Sequence, residues 1–245
     1  MADYRPMNAS AGIRTAEIDA GLQAHMNKVY GTMSVGLLLT ALVAWAVGTN
    51  DALLSLFRNP VTLQPNILGW IAMFAPLGMV FAFGAVLNRI SAAGAQLFFY
   101  AYAAMMGLSI SYIFAVFTGM SIAQTFLVTA ISFAGLSLYG YTTKRDLSAF
   151  GAFLVMGLIG LIVAAIVNIF LGSALLDFVI SVVGVLIFAG LTAWDTQKIK
   201  SDYIAHAHAM DSEWLAKSAI MGALNLYLDF INLFMFLLRF LGNRE

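Results

Sequence analysis

The sequence has no cysteine, only 4 prolines and 3 histidines, and only 10% charged residues. Without a thiol there are no disulfides and no cysteine nucleophile, and nothing points to a redox compartment. His206 and His208 are spaced i and i+2, so they do not share a helix face, and no third ligand stands near them. Metal binding there is not expected. The 12 basic and 12 acidic residues cancel, and no basic cluster is present, so nucleic acid is not an expected partner. Tandem repeats and Gly/Ser-rich hinges are also missing, and nothing marks a second domain.

What the chain has in abundance is apolar surface. Hydrophobic residues make up 62% of its 245 positions, against roughly 45–50% in soluble domains. Too few charges are available to clothe a water-soluble globule, so the expected class is an all-α polytopic membrane protein. The 13 Met and 19 Phe read as packing and lipid contact, not as a cofactor box, and no cofactor is expected.

Gaps between charges divide the chain into spans, since about 20 apolar residues suffice to cross a bilayer. Residues 1–28 hold Arg5, Arg14, Glu17, Asp19 and Lys28 and read as a polar cytoplasmic tail with a short amphipathic helix, not as a cleavable signal. The membrane domain is expected over 29–242. Its first span runs from Val29 to Asn50, and a loop with Asp51, Arg58, Pro60 and Pro65 follows. The second runs from Ile67 to Leu87, with Pro76 predicting a kink. Ile90 to Thr143 is too long for one crossing, and Thr118-Gly119-Met120-Ser121 is its natural turn. A fifth span covers Phe150 to Leu171 and contains Asn168. After Gly172-Ser173 and Asp177 a sixth ends at Trp194-Asp195. The scattered glycines, such as Gly157, Gly160, Gly184 and Gly190, predict close helix packing.

The seventh stretch, Lys217 to Arg239, carries Asp229 near its middle, where a carboxylate costs roughly 2.5–3.5 kcal/mol on insertion scales. Asn225, Asp229 and Asn232 share one helical face, so this helix is expected to be wrapped by the other spans and not by lipid. The stretch either crosses or re-enters. Lys and Arg asymmetry orients the chain. With the N-terminus inside, Arg5, Arg14, Lys28, Arg89, Lys144, Arg145, Lys198, Lys200 and Lys217 fall on the inner side, and only Arg58, Arg239 and Arg244 fall outside. Asp195 then arrives at the inner face while Asp229 lies about 18 Å along the seventh helix at 1.5 Å per residue. Packing the sixth and seventh spans together can bring the two acids to neighbouring depths. Two carboxylates in such a setting cannot both ionise cheaply, and Arg89 is placed to pair with one. On single-residue grounds Asp195 is equally well a solvated partner of Lys198, Arg89 and Arg239 are snorkelling anchors, Asp177 complements a helix N-terminus, and the three asparagines are interhelical glue.

The strings LYLDFINLFMFLLRFLG (226–242) and AWDTQKIK (193–200) resemble the bacterial branch of the Bax inhibitor 1 family, also called the transmembrane Bax-inhibitor-motif proteins. IRTAEIDAGLQAHMNKVYGTMSVGLLLT near the start and VNIFLGS around Asn168 extend the resemblance over nearly the whole chain from Ile13. The resemblance implies seven transmembrane helices, six surrounding a central seventh, and a pH-sensitive calcium leak through that centre. It implies that Asp195 and Asp229 are the proton sensor and that Arg89 is the arginine latching onto them. Some relatives carry an acid in the second helix, and Val61 to Asn88 has none here.

The expected function is therefore a cation (calcium) leak of the bacterial inner membrane, with Asp195 and Asp229 as pH sensor and as a weak, transient calcium site, Arg89 as latch, and Asn225, Asn232 and Asn168 as pathway-lining candidates. A rival expectation, which the family resemblance implies, is an interaction protein regulating a membrane-bound ATP-dependent protease through the charged tail. A proton-coupled transporter finds no inverted repeat to support it, and an enzyme finds no catalytic motif.

Overall fold

A run of long helices accounts for nearly all of the chain in the computed structural model, which describes residues 5–59, 61–206 and 211–243, with side chains from Ile18 onward. His208, Pro60 and Arg244 lie outside these residues, as do the side chains of Arg5, Arg14 and Glu17. The helices are α1 (Arg5–Gly48), α2 (Asp51–Leu54), α3 (Ile67–Val86), α4 (Ala92–Ile110), α5 (Ile113–Val116), α6 (Gly119–Thr142), α7 (Ser148–Leu171), α8 (Ala174–His206) and α9 (Ser212–Leu241). Seven are long and apolar enough to cross a membrane, with α5 continuing α4 in the third span. One isolated β-bridge pairs Arg58 with Pro65.

Helix starts follow from the polar residue that precedes each apolar run. Asn66, Ser91, Thr118 and Asp211 each accept a hydrogen bond from the N–H three residues on, at 2.9, 3.2, 3.3 and 2.7 Å. These bonds satisfy donors that the first helical turn leaves without an intrahelical partner. Gly172 ends α7 in the left-handed region at φ 59°, which a residue with a Cβ seldom adopts.

Two predicted boundaries were wrong, for one reason. The tail and first span are not separate: a single helix runs from Arg5 to Gly48. The sixth span does not end at Asp195, since α8 continues to His206. At both junctions polarity rises with no proline to break the helix, and Thr196 to His206 contains no Gly either. A helix leaving the bilayer has no reason to stop. The third span has a break the sequence did not announce, at Ser111 and Tyr112. There the guanidinium of Arg58 lies 4.5 Å from the centre of the Tyr112 ring and donates to the Leu63 carbonyl at 2.9 Å, folding the α2–α3 loop onto the interruption.

α9 is the centre. Buried residues make up 61% of its apolar stretch, against 11–39% in the other spans. It packs on α8, α1, α6 and α4, while α3 packs mainly on α4 and α7 mainly on α8. The helix is long and apolar enough to cross fully. At its start Glu213 accepts the N–H of Ala92 at 2.6 Å, and just past its end Asn243 meets the beginning of α6, accepting from the Thr118 N–H at 3.1 Å and donating to Ser121 Oγ at 2.9 Å. Glycines govern how closely the ring helices approach. Gly184 lies under the Phe236 ring of α9, and a Cβ on it would come within 2.7 Å of that ring.

Candidate functional site

α8 and α9 form the most extensive helix pair of the bundle, and each carries one acid into their interface. Because α8 continues three turns past it, Asp195 is not at a helix end. It is 9% exposed, and Asp229 is 4% exposed. Their carboxyl groups face each other within hydrogen-bonding reach. Oδ2 of Asp229 is fully buried and receives no donor among the described residues. Two carboxyl groups this close can hydrogen-bond to each other only when a proton lies between them.

Around the pair, the buried hydroxyls are already committed. Thr192 and Thr196 donate to the carbonyls of Phe188 and Thr192, each at 2.8 Å, so neither offers its proton to Asp195. Because the Thr196 proton is used, the contact at 3.0 Å from Ser137 must run from Ser137 to Thr196, and the one at 2.5 Å must run from Tyr30 to Ser137. This thread joins α1, α6 and α8 and ends on a backbone carbonyl. A second knot fixes α9. Thr40 donates toward the carbonyls of Gly36 and Ala103 at 3.0 and 2.8 Å, which leaves the fully buried Tyr227 hydroxyl to donate to Thr40 at 2.7 Å. Tyr227 lies two residues before Asp229, so the depth of the acid is pinned to α1 and α4.

The cation whose field acts on Asp195 is Lys198, one turn along α8, its ammonium 5.1 Å from the Trp194 ring. The expected latch is not engaged. Arg89 is exposed in the turn after α3 and makes no ion pair among the described residues. Beside it lies a cavity of about 240 Å³, walled by Leu87, Ile199, Trp214 and Met221 and by the polar Asn88, Lys198, Asp202, Lys217 and Asn225. Asn225 thus lines an opening one turn short of Asp229.

The other asparagines do not join the pair. Asn232 is half-buried and donates to the carbonyl of Leu228 in its own helix at 2.8 Å. Asn168 is a correction to its place among the pathway-lining residues. It sits in the last turn of α7, where its Oδ1 accepts the Ser173 N–H at 3.0 Å and shapes the Gly172 turn. Asp177 and Arg239, read separately in the sequence, stand 3.8 Å apart across the far ends of α8 and α9. Among the described residues no three His, Asp or Glu side chains gather as a metal cluster.

Sequence reasoning missed His25, Tyr30 and Tyr227. His25 is buried against Tyr203, ring centres 4.8 Å apart, and its Nε2 has no partner. A polar side chain inside an apolar run was the available signal, and it does not say which distant helix supplies the neighbour.

A helical integral membrane protein with seven spans, organised around a central helix whose buried carboxyl meets a second one, is the class that the fold and site define. Within that class the chain belongs to the family described as inhibitor of apoptosis-promoting Bax1, which matches residues 22–245. It is 49% identical over 227 residues to the Inner membrane protein YbhL of Escherichia coli K12, covering 92% of this chain and 94% of that protein. It is 46% identical over 227 residues to the uncharacterized protein RP147 of Rickettsia prowazekii, covering 93% and 92%. A third relative, an uncharacterized protein of Caulobacter vibrioides, is 43% identical over 232 residues, covering 93% and 92%.

Proposed function

We propose that this protein is a passive, pH-gated cation leak of a bacterial inner membrane, with calcium as a permeant ion and the N-terminus in the cytoplasm. The observation that carries the reading is the face-to-face placement of Asp195 and Asp229 in the apolar centre of the bundle. A proton held between them leaves one net charge; losing it sets two negative charges side by side in a medium that screens them poorly. That repulsion acts between α8 and α9, and it is relieved when a cation enters or when the helices part. Lys198 stabilises the ionised form from one side. Arg89 does so from the other when the end of α3 closes over the cavity beside it, which is the latched state. Two carboxyls with Asn225, backbone carbonyls and water make a weak calcium site, and weak binding suits transit.

The reading is tested by calcium flux in liposomes across a pH series. Asp229→Asn, which keeps the shape and removes the titration, is expected to abolish the pH response and change the leak by at least an order of magnitude. Unchanged leak and unchanged pH response in that variant would end the proposal.

A second reading, a regulator of a membrane-bound ATP-dependent protease, is favoured by one feature. At 44 residues α1 is about 66 Å long, well beyond a bilayer of about 40–45 Å including headgroups. Its first turns therefore extend past the membrane, where this reading places the contact with the protease. Deleting residues 1–17 separates the two: loss of protease modulation with intact flux selects the second. Neither reading requires catalysis.

A further inference from the structure

α1 and α6 are neighbours around α9 yet barely touch. Between them runs a lateral groove of about 960 Å³, floored by Phe133 and by Phe230 of the central helix. Its walls change character along its length. Leu37, Leu38, Ala41 and Phe126 line the deep part; Asp19, Gln23 and Asn27 stand at the other end, with Tyr141 opposite. On α6 the lined stretch from Phe126 to Tyr141 spans about 22 Å at 1.5 Å per residue, more than the roughly 15 Å half-thickness of the hydrocarbon core. The groove is bridged at the level of the Tyr30–Ser137 hydrogen bond.

We propose that this groove is a binding site for a phospholipid with a primary-amine headgroup, phosphatidylethanolamine. One acyl chain lies along the Phe133–Phe230 floor, and the ammonium rests on Asp19. The polarity gradient matches a single lipid molecule standing in one leaflet. Among the described residues Asp19 is the sole charged side chain in the lining and the partner for an ammonium headgroup, while the Lys200 ammonium stands 5.0 Å from the ring of Tyr141 at the same end. Gln23 and Asn27 supply amide N–H donors for the phosphate and ester oxygens. An opening between two spans of a seven-span protein faces lipid, so the occupant needs no route to reach it. Bound there, the chain touches Phe230, next to Asp229, and Tyr30, whose hydrogen-bond thread ends at Thr196, next to Asp195.

The test is native mass spectrometry of the full-length protein. After detergent exchange to strip co-purified lipid, it is titrated with phosphatidylethanolamine, phosphatidylcholine and phosphatidylglycerol of identical chains. One tightly held phosphatidylethanolamine is expected, favoured over its trimethylated counterpart and over phosphatidylglycerol. Asp19→Asn is expected to erase that preference by about five- to tenfold, the worth of one partly exposed charge-assisted hydrogen bond. Ala134→Trp and Ser34→Trp fill the groove from opposite walls and are expected to expel the lipid, whereas Ile169→Trp on the outer face of α7 retains it. Thermal unfolding of each variant identifies any that misfolds, and either groove variant alone suffices. Equal retention of all three lipids, undiminished binding in a folded groove variant, or a dimer that either tryptophan dissociates would overturn the proposal. Lipid retention is read without ion flux, so it stands or falls separately from the leak.

Discussion

At the scale of single residues, the knot around Tyr227 makes an asymmetric prediction. Thr40 spends its proton on carbonyls and accepts from Tyr227, so the two side chains are not equivalent partners. Tyr227→Phe removes a donor and strands nothing, at a cost near the ~0.6 kcal/mol average for interhelical bonds in membranes. Thr40→Val leaves the buried Tyr227 hydroxyl without an acceptor and is expected to cost about 1–3 kcal/mol. Adding Tyr227→Phe to Thr40→Val should then recover part of the loss. Unfolding in mixed detergent measures all three. The sequence made Asp229 legible because a mid-span carboxylate is expensive enough to demand a reason. Tyr227 and Thr40 cost little in a helix and carry no such signal. Arg89 was legible as a candidate by position, but whether its long side chain reaches the acids depends on how α3 sits, which no spacing encodes. The exposed Asp146 shows the same limit: Ser148 holds its carboxyl below the usual carboxylate range by hydrogen bonding to it, a local turn with no bearing on the pair.

At the scale of helices, glycines that look alike separate into two kinds. A Cβ on Gly140 would overlap the backbone carbonyl of Ala193, which no rotamer change relieves, while nothing lies within 4 Å of a Cβ on Gly160. Gly140→Ala is expected to lose about 1–3 kcal/mol by forcing α6 off α8 and stretching the Ser137–Thr196 bond. Gly160→Ala should be neutral or gain up to about 1 kcal/mol from helix propensity. Thermal melts of the two variants distinguish them, and equal losses would refute the packing assignment. The number of spans was readable from charge gaps because burying an ion in hydrocarbon is prohibitive. The α5–α6 turn was readable from Thr118-Gly119 for similar reasons of local chemistry. The ends of α1 and α8 were not, because hydropathy marks where the membrane stops and not where the helix does. That error mattered, since it put Asp195 at a surface instead of three turns inside a helix, where its burial comes from.

For the molecule as a whole, the structure gathers basic residues at one end in a way that sequence order alone does not. Lys200 donates to the Tyr141 carbonyl at 2.8 Å, tying α8 to the end of α6, and Lys217 lies 3.6 Å from Glu213, which also holds the start of α4. Lys144, Arg145, Lys198 and Arg89 belong to the same end. Arg58, Arg239 and Asn243 mark the opposite one, where Asn243 clasps the beginning of α6. Since basic loops are retained in the cytoplasm, the lysine-rich end should face inward and the Asn243 end outward. Absence of cysteine makes this directly measurable, because any introduced thiol is the only one present. Arg58→Cys and Asn243→Cys are expected to react with a membrane-impermeant maleimide in intact spheroplasts, and Lys144→Cys only after permeabilisation. Labelling of residue 144 from outside would invert the bundle, and it would place the Asn225 cavity and the Arg89 turn on the outer face.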